Sequence, residues 1–188
     1  MFNAFLTALI MIFLTCYPFI VYIGLTRFNS YLLTVILLTL LIIRLWLSKP
    51  LLAKMPWIKP ASLLGILAIG LSKTMGSDFG IRLYPVIVNT VMFFVFAYSL
   101  YKGPSIIETF ARITEPKLDK RAISYTKNVT KIWCIFFVFN ASIALYTSVF
   151  TSLNVWAFYN GFIAYIIMGV LFAVEWLVRK KVKRNAGV

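Results

Sequence analysis

The chain has 188 residues, 62% of them apolar and 13% charged, with 19 bases against five acids and no histidine. A globule of this size has too little interior to hide that apolar excess, which excludes a soluble enzyme, a disordered tail and a disulfide-stapled secreted module. The absence of histidine excludes imidazole catalysis and every His-ligated metal site. What remains is an all-α, polytopic transmembrane bundle forming one domain over 1–188. Spans are predicted at 2–25, 31–48, 57–75, 83–101, 132–153 and 155–178, where apolar runs can cross a hydrocarbon core of about 30 Å as helices. The first contains Pro18, which a membrane helix tolerates as a kink. It lacks the basic n-region and cleavage site of a signal peptide, so it is expected to be retained. The third has only twelve uncharged residues, 61–72, and its alternative is a re-entrant segment. Charge arbitrates. Six spans put sixteen bases on one side and leave Arg27, Lys73 and Arg82 on the other, whereas a re-entrant third segment divides them 13 to 6. The positive-inside rule then predicts six spans with both termini cytoplasmic.

Between the fourth and fifth spans, Gly103-Pro104-Ser105 ends one helix and opens another, a short interfacial helix over about 105–113. Ile106, Phe110 and Ile113 share one face, with Glu108 and Arg112 opposite as an i,i+4 pair. Such a helix is expected to lie on the inner leaflet, followed by a basic approach to the fifth span. Arg112, Lys117, Lys120 and Arg121 form a candidate docking surface for anionic lipid.

Polar groups in hydrocarbon are costly and invite explanation. At about 1.5 Å per residue, Asn160 lies roughly 9 Å and Asn89 roughly 10 Å from the outer ends of their spans, with Asn140 near the middle of its own. The three can therefore meet, as interhelical hydrogen-bond glue or as a polar pocket for a ligand headgroup. Thr126, Thr130, Trp133, Phe137 and Asn140 follow a 4/3 spacing that predicts a packing seam. Glu175 reaches the inner boundary together with Lys127, Lys131 and Arg179, an expected charge cluster. Trp57, Tyr101, Trp156, Tyr159 and Trp176 fall near span ends as interface anchors. Gly161 and Gly169 mark candidate close approaches of helices. Cys16 and Cys134 lie in apolar runs and form no CxxC pair.

Gly103-Pro104-Ser105-Ile106-Ile107-Glu108, Phe110-Ala111-Arg112, Glu115-Pro116, Tyr125-Thr126-Lys127-x-Val129-Thr130-x-x-Trp133, Phe136-Phe137, Asn140, Trp156-x-x-Tyr159-Asn160-Gly161 and Glu175-Trp176-x-x-Arg179 together form a pattern. It resembles a family of small bacterial inner-membrane proteins of unknown biochemical role, encoded within aryl polyene and type II fatty-acid-synthase-like lipid gene clusters. The resemblance covers about residues 85–184; Lys127 stands where the pattern favours arginine. It implies a multi-pass protein of the bacterial inner membrane working on an acylated lipid, and an acyl-carrier protein as a possible partner of the basic surface beside anionic lipid. Three functions stay open: a non-catalytic component that helps assemble, anchor or move that lipid, a small transporter, flippase or exporter subunit, and an integral acyltransferase. The residues favour the first, because five scattered carboxylates and no histidine supply neither the usual acid–base pairs nor a metal site. No catalytic residue, cofactor, metal or nucleic-acid partner is expected.

Overall fold

The computed structural model describes residues 17–27, 30–47, 58–74 and 78–185. Among the described residues the secondary structure is helical, without strand. In chain order the helices are α1 (Tyr17–Arg27), α2 (Ser30–Leu47), α3 (Ile58–Thr74), α4 (Phe79–Arg82), α5 (Tyr84–Lys102), α6 (Ile106–Thr114), α7 (Lys120–Phe150), α8 (Leu153–Phe158) and α9 (Ala164–Asn185), with a π-helical turn at Tyr159–Ile163 joining the last two. Three helical runs are long and apolar enough to cross a membrane: Tyr84–Lys102, Lys120–Phe150 and Leu153–Lys180. Shorter apolar stretches, Tyr31–Ile43 and Ser62–Leu71, lie within α2 and α3. The part of the expected first span before Tyr17 lies outside the described residues, as do Cys16 and Trp57.

Helix α7 starts at Lys120, before the span expected from 132 and six residues before Thr126, where the expected seam begins. Nothing after Pro116 breaks a helix in this stretch, and Asp119 caps it by accepting from the Ala122 N–H at 2.7 Å. Thr126, Val129 and Thr130 are buried and continue inward the stripe of Trp133, Phe137 and Asn140. The seam runs unbroken for four turns, and Lys120, Arg121, Lys127 and Lys131 stay exposed on the other faces. Ser105 and Ser152 cap α6 and α8 in the same manner, accepting from the Glu108 and Val155 N–H groups.

Packing divides into two cores. One joins Tyr17 and Val21 of α1, Leu33, Leu37 and Leu41 of α2, Ile69 of α3, Ile81, Tyr84 and Trp156. The other joins Phe96 of α5 to Val129, Trp133, Cys134 and Phe137 of α7, with Met168 and Leu171 of α9 against them. Aromatic contacts knit the second core: Phe96–Phe137 at 5.1 Å and Trp133–Phe172 at 4.6 Å between ring centroids. Helices α5 and α7 form the principal pair. The middle of the α2–α3 pair meets the first turn of α5: the Tyr84 ring covers Gly65 so closely that a Cβ there would lie 2.9 Å from ring carbons and 3.3 Å from Leu41 Cδ1. Large apolar side chains such as Phe94, Phe139, Val170 and Val174 point outward, the pattern of helices whose surroundings are hydrocarbon.

Candidate functional site

Between the two cores lies a buried, uncharged polar layer. On α5, Asn89 falls between Val88, packed on the first core, and Met92, packed on the second. On α7, Asn140 follows Phe137. Asn140 Nδ2 donates to Asn89 Oδ1 at 2.9 Å, and its Oδ1 accepts from the Tyr159 hydroxyl at 2.8 Å. Asn89 Nδ2 donates to the Pro85 carbonyl at 2.8 Å. Three separate elements, α5, α7 and the π-turn, are thus tied by two side-chain hydrogen bonds in which every amide heavy atom has a partner.

Asn160 belongs to a neighbouring cluster. Its Nδ2 donates to Thr147 Oγ1 at 3.2 Å and to the Trp156 carbonyl at 2.9 Å. The second bond is local: where a π-turn widens the helix, the amide of Asn160 covers a backbone carbonyl of the preceding turn. Of the three asparagines expected to meet, the structure joins Asn89 to Asn140 and places Asn160 on Thr147 instead. Tyr159, first read as an interface anchor, takes the third position.

Arg82 closes this second cluster. Its Nη2 donates to the Thr147 and Thr151 carbonyls, both at 2.9 Å, which caps the C-terminal end of α7 with a cation. The Arg82 carbonyl in turn accepts from Ser148 Oγ at 2.9 Å and Trp156 Nε1 at 3.1 Å. Arg82 Nε is buried without a hydrogen-bond partner among the described residues. Partial burial lowers the guanidinium pKa from its ordinary value, and an arginine remains charged nonetheless. Trp156 is a correction. It is fully buried in the first core, because its indole N–H reaches the Arg82 carbonyl inside the fold and has no need of an interface. Tyr101 and Trp176 are exposed as interface anchors are, the latter with Lys180 Nζ 5.2 Å from its ring centroid.

At the opposite end, Glu175 Oε1 accepts from Tyr125 OH at 3.3 Å and pairs with Arg179 Nε at 3.6 Å. Lys127 and Lys131 are exposed, and no ion pair joins either to Glu175 among the described residues. Helical phase explains it: Tyr125 reaches α9 and Val129 is buried in the second core, so Lys127 and Lys131 turn away. In α6, Arg112 is engaged by Glu108 and Pro116, while Lys117, Lys120 and Arg121 are exposed. Ion pairs join Lys73 to Asp78, Arg112 to Glu108 and Arg179 to Glu175, and none of these includes a residue of the asparagine layer. Among the described residues, no three of His, Cys, Asp or Glu stand close enough to hold a metal.

The Tyr159 contact and the Arg82 cap were missed by sequence reasoning. A usable signal existed for the second: a lone arginine just before an apolar run opens the possibility of capping the carbonyl end of another helix. The first had none, since the π-turn that rotates Tyr159 inward leaves no mark in the periodicity.

Three apolar helices of spanning length, joined by a neutral hydrogen-bonded layer, define a helical membrane protein. No protein-family model, no curated protein and no solved structure matches the chain.

Proposed function

We propose that this protein is a non-catalytic component of a bacterial inner membrane that helps assemble, anchor or move an acylated lipid of the aryl polyene type. In this reading the chain crosses the membrane six times with both termini cytoplasmic, and α6 lies at the inner interface. The observation that carries the non-catalytic part is the Asn89–Asn140–Tyr159 layer. It is uncharged, its amides are engaged by one another, and it serves to hold α5, α7 and the π-turn in register. The carboxylates support the same reading, because Glu108, Glu175 and Asp78 are each bound to a base. The lipid class follows from the residue pattern that resembles the aryl polyene family. The π-turn at Tyr159–Ile163, within an apolar run of spanning length, favours a flippase or exporter subunit as the second reading, since such turns within helices are frequent at functional sites.

Deletion of the gene, followed by lipid and pigment analysis of separated inner and outer membranes, tests both. Product lost from both membranes indicates a part in assembly. Product stranded in the inner membrane indicates transport. Unchanged product in both membranes refutes the proposal.

A further inference from the structure

Helix α6 meets the rest of the protein through apolar and polar groups together, with Ile106 and Ile107 packed on the second core. Ser105 is fully buried and Glu108 is 5% exposed, while Arg112 Nε and Nη2 donate to Glu108 Oε1 at 3.0 and 2.7 Å. Turned outward are Phe110, 51% exposed, and Ile113, 77% exposed. Water on that side would select the opposite arrangement. The outward face continues an exposed aromatic row on α5, Phe94, Tyr98 and Tyr101, spaced at i, i+4 and i+7. Exposed bases flank it along the chain: Lys102 at the end of α5, Lys117 in the connection, and Lys120 and Arg121 in the first turn of α7. Two acids nearby are occupied, Glu108 by Arg112 and Asp119 by the Ala122 N–H; Glu115 is the third acid of the segment.

We propose that α6 is an interfacial wedge that recognises anionic phospholipid headgroups. Phe110 and Ile113 enter the boundary between headgroups and acyl chains, Tyr101 sits at headgroup level, and Lys102, Lys117, Lys120 and Arg121 hold the phosphates. The inference rests on the reading that α5 and α7 cross the membrane. Lipid is the occupant because the wedge is continuous with the aromatic row of α5, and because its charge is positive and the inner leaflet's is negative. Arg112, the base best placed on α6 to grip a protein carboxylate, is already engaged by Glu108.

The test uses the full chain with Cys16→Ser and Cys134→Ser, carrying a fluorescent label at Phe94→Cys, Phe110→Cys or Ile113→Cys. Each is reconstituted in phosphatidylcholine vesicles containing the same minor fraction of brominated phosphatidylcholine or brominated phosphatidylglycerol. The expected result is quenching at all three positions, with phosphatidylglycerol the stronger quencher at 110 and 113. The local enrichment is roughly fivefold for each base that reaches a headgroup, and it disappears when Lys102, Lys117, Lys120 and Arg121 are all changed to Gln. Quenching at 94 without quenching at 110 and 113 overturns the wedge and leaves the spans standing. An unquenched label at 94 overturns the spans and the wedge together. Equal quenching by the two lipids overturns headgroup recognition. Shielding of 110 and 113 by an added acidic acyl-carrier protein, with no difference between lipids, makes the surface a protein site and also overturns it.

Discussion

Asn140 uses both ends of its amide, one toward Asn89 and one toward Tyr159, so its replacement disturbs two helices at once. Asn140→Leu is expected to destabilise the folded protein by about 1–2 kcal/mol, the range of interhelical hydrogen bonds in membranes. Because Asn89 is bonded to it, Asn89→Leu in the same chain should add less than its single-variant cost. Asn160→Leu, bonded to Thr147, should add in full. Unfolding midpoints of the singles and both doubles in mild detergent check this, and equal coupling in the two pairs would refute the division into two clusters. Arg82→Leu isolates a different effect. The Arg82 carbonyl, which Ser148 and Trp156 use, survives the substitution, so only the cap on α7 is lost. Two hydrogen bonds from a charged group imply a loss of about 1.5–3 kcal/mol, read by the same midpoint. The asparagines themselves were legible in the sequence, because an amide in an apolar run is conspicuous. Their partners were not, since side-chain reach depends on helix rotation.

At the scale of elements, glycines distinguish close approach from open surface. Gly161, in the π-turn, lies under Phe19 of α1: an added Cβ would sit 2.9 Å from Cε2 and 3.0 Å from Cζ. Gly161→Ala must displace the far end of that ring, which is partly exposed and can turn, at a cost of about 1 kcal/mol. Gly169 has nothing within 4 Å of the same position, so the expectation of a close helix contact there fails. Gly169→Ala should stabilise by roughly 0.5–1 kcal/mol through helix propensity alone. Opposite shifts in midpoint for the two variants are the expected outcome. Both glycines look alike in the sequence, and only the neighbouring helix decides. The start of α7 shows the converse: its information was present in the sequence, as Asp119 followed by an uninterrupted helical stretch that leads into the seam of Thr126, Thr130 and Trp133. Asp119→Ala should cost about 1 kcal/mol and fray the first turn, visible as faster amide exchange at Ala122 and Ile123.

For the whole molecule, the proposed six spans would put sixteen bases on one side, which predicts the orientation of the bundle. Reporter fusions after Val188 and near Leu118 should be active only with a cytoplasmic reporter, and one near Lys54 should agree with them if the third segment spans. A periplasmic signal at Lys54 would restore the re-entrant alternative. Composition and hydropathy by themselves determined that the chain is helical and belongs in a membrane, because no other arrangement shelters so many apolar side chains or satisfies their backbone groups there. They also located α2, α3, α5 and α6 to within about a residue or two, since Gly, Pro and charge bound those runs. The tertiary structure alone decided which asparagines meet, that Trp156 is interior, that α6 buries Glu108 while leaving Phe110 and Ile113 exposed, and that the α2–α3 pair packs on the first turn of α5. In hydrocarbon, apolar patterning no longer says which face of a helix is inside, because lipid and protein interior are equally apolar. Rotation and register are then set by the few polar contacts and small-residue approaches that only the folded chain brings together.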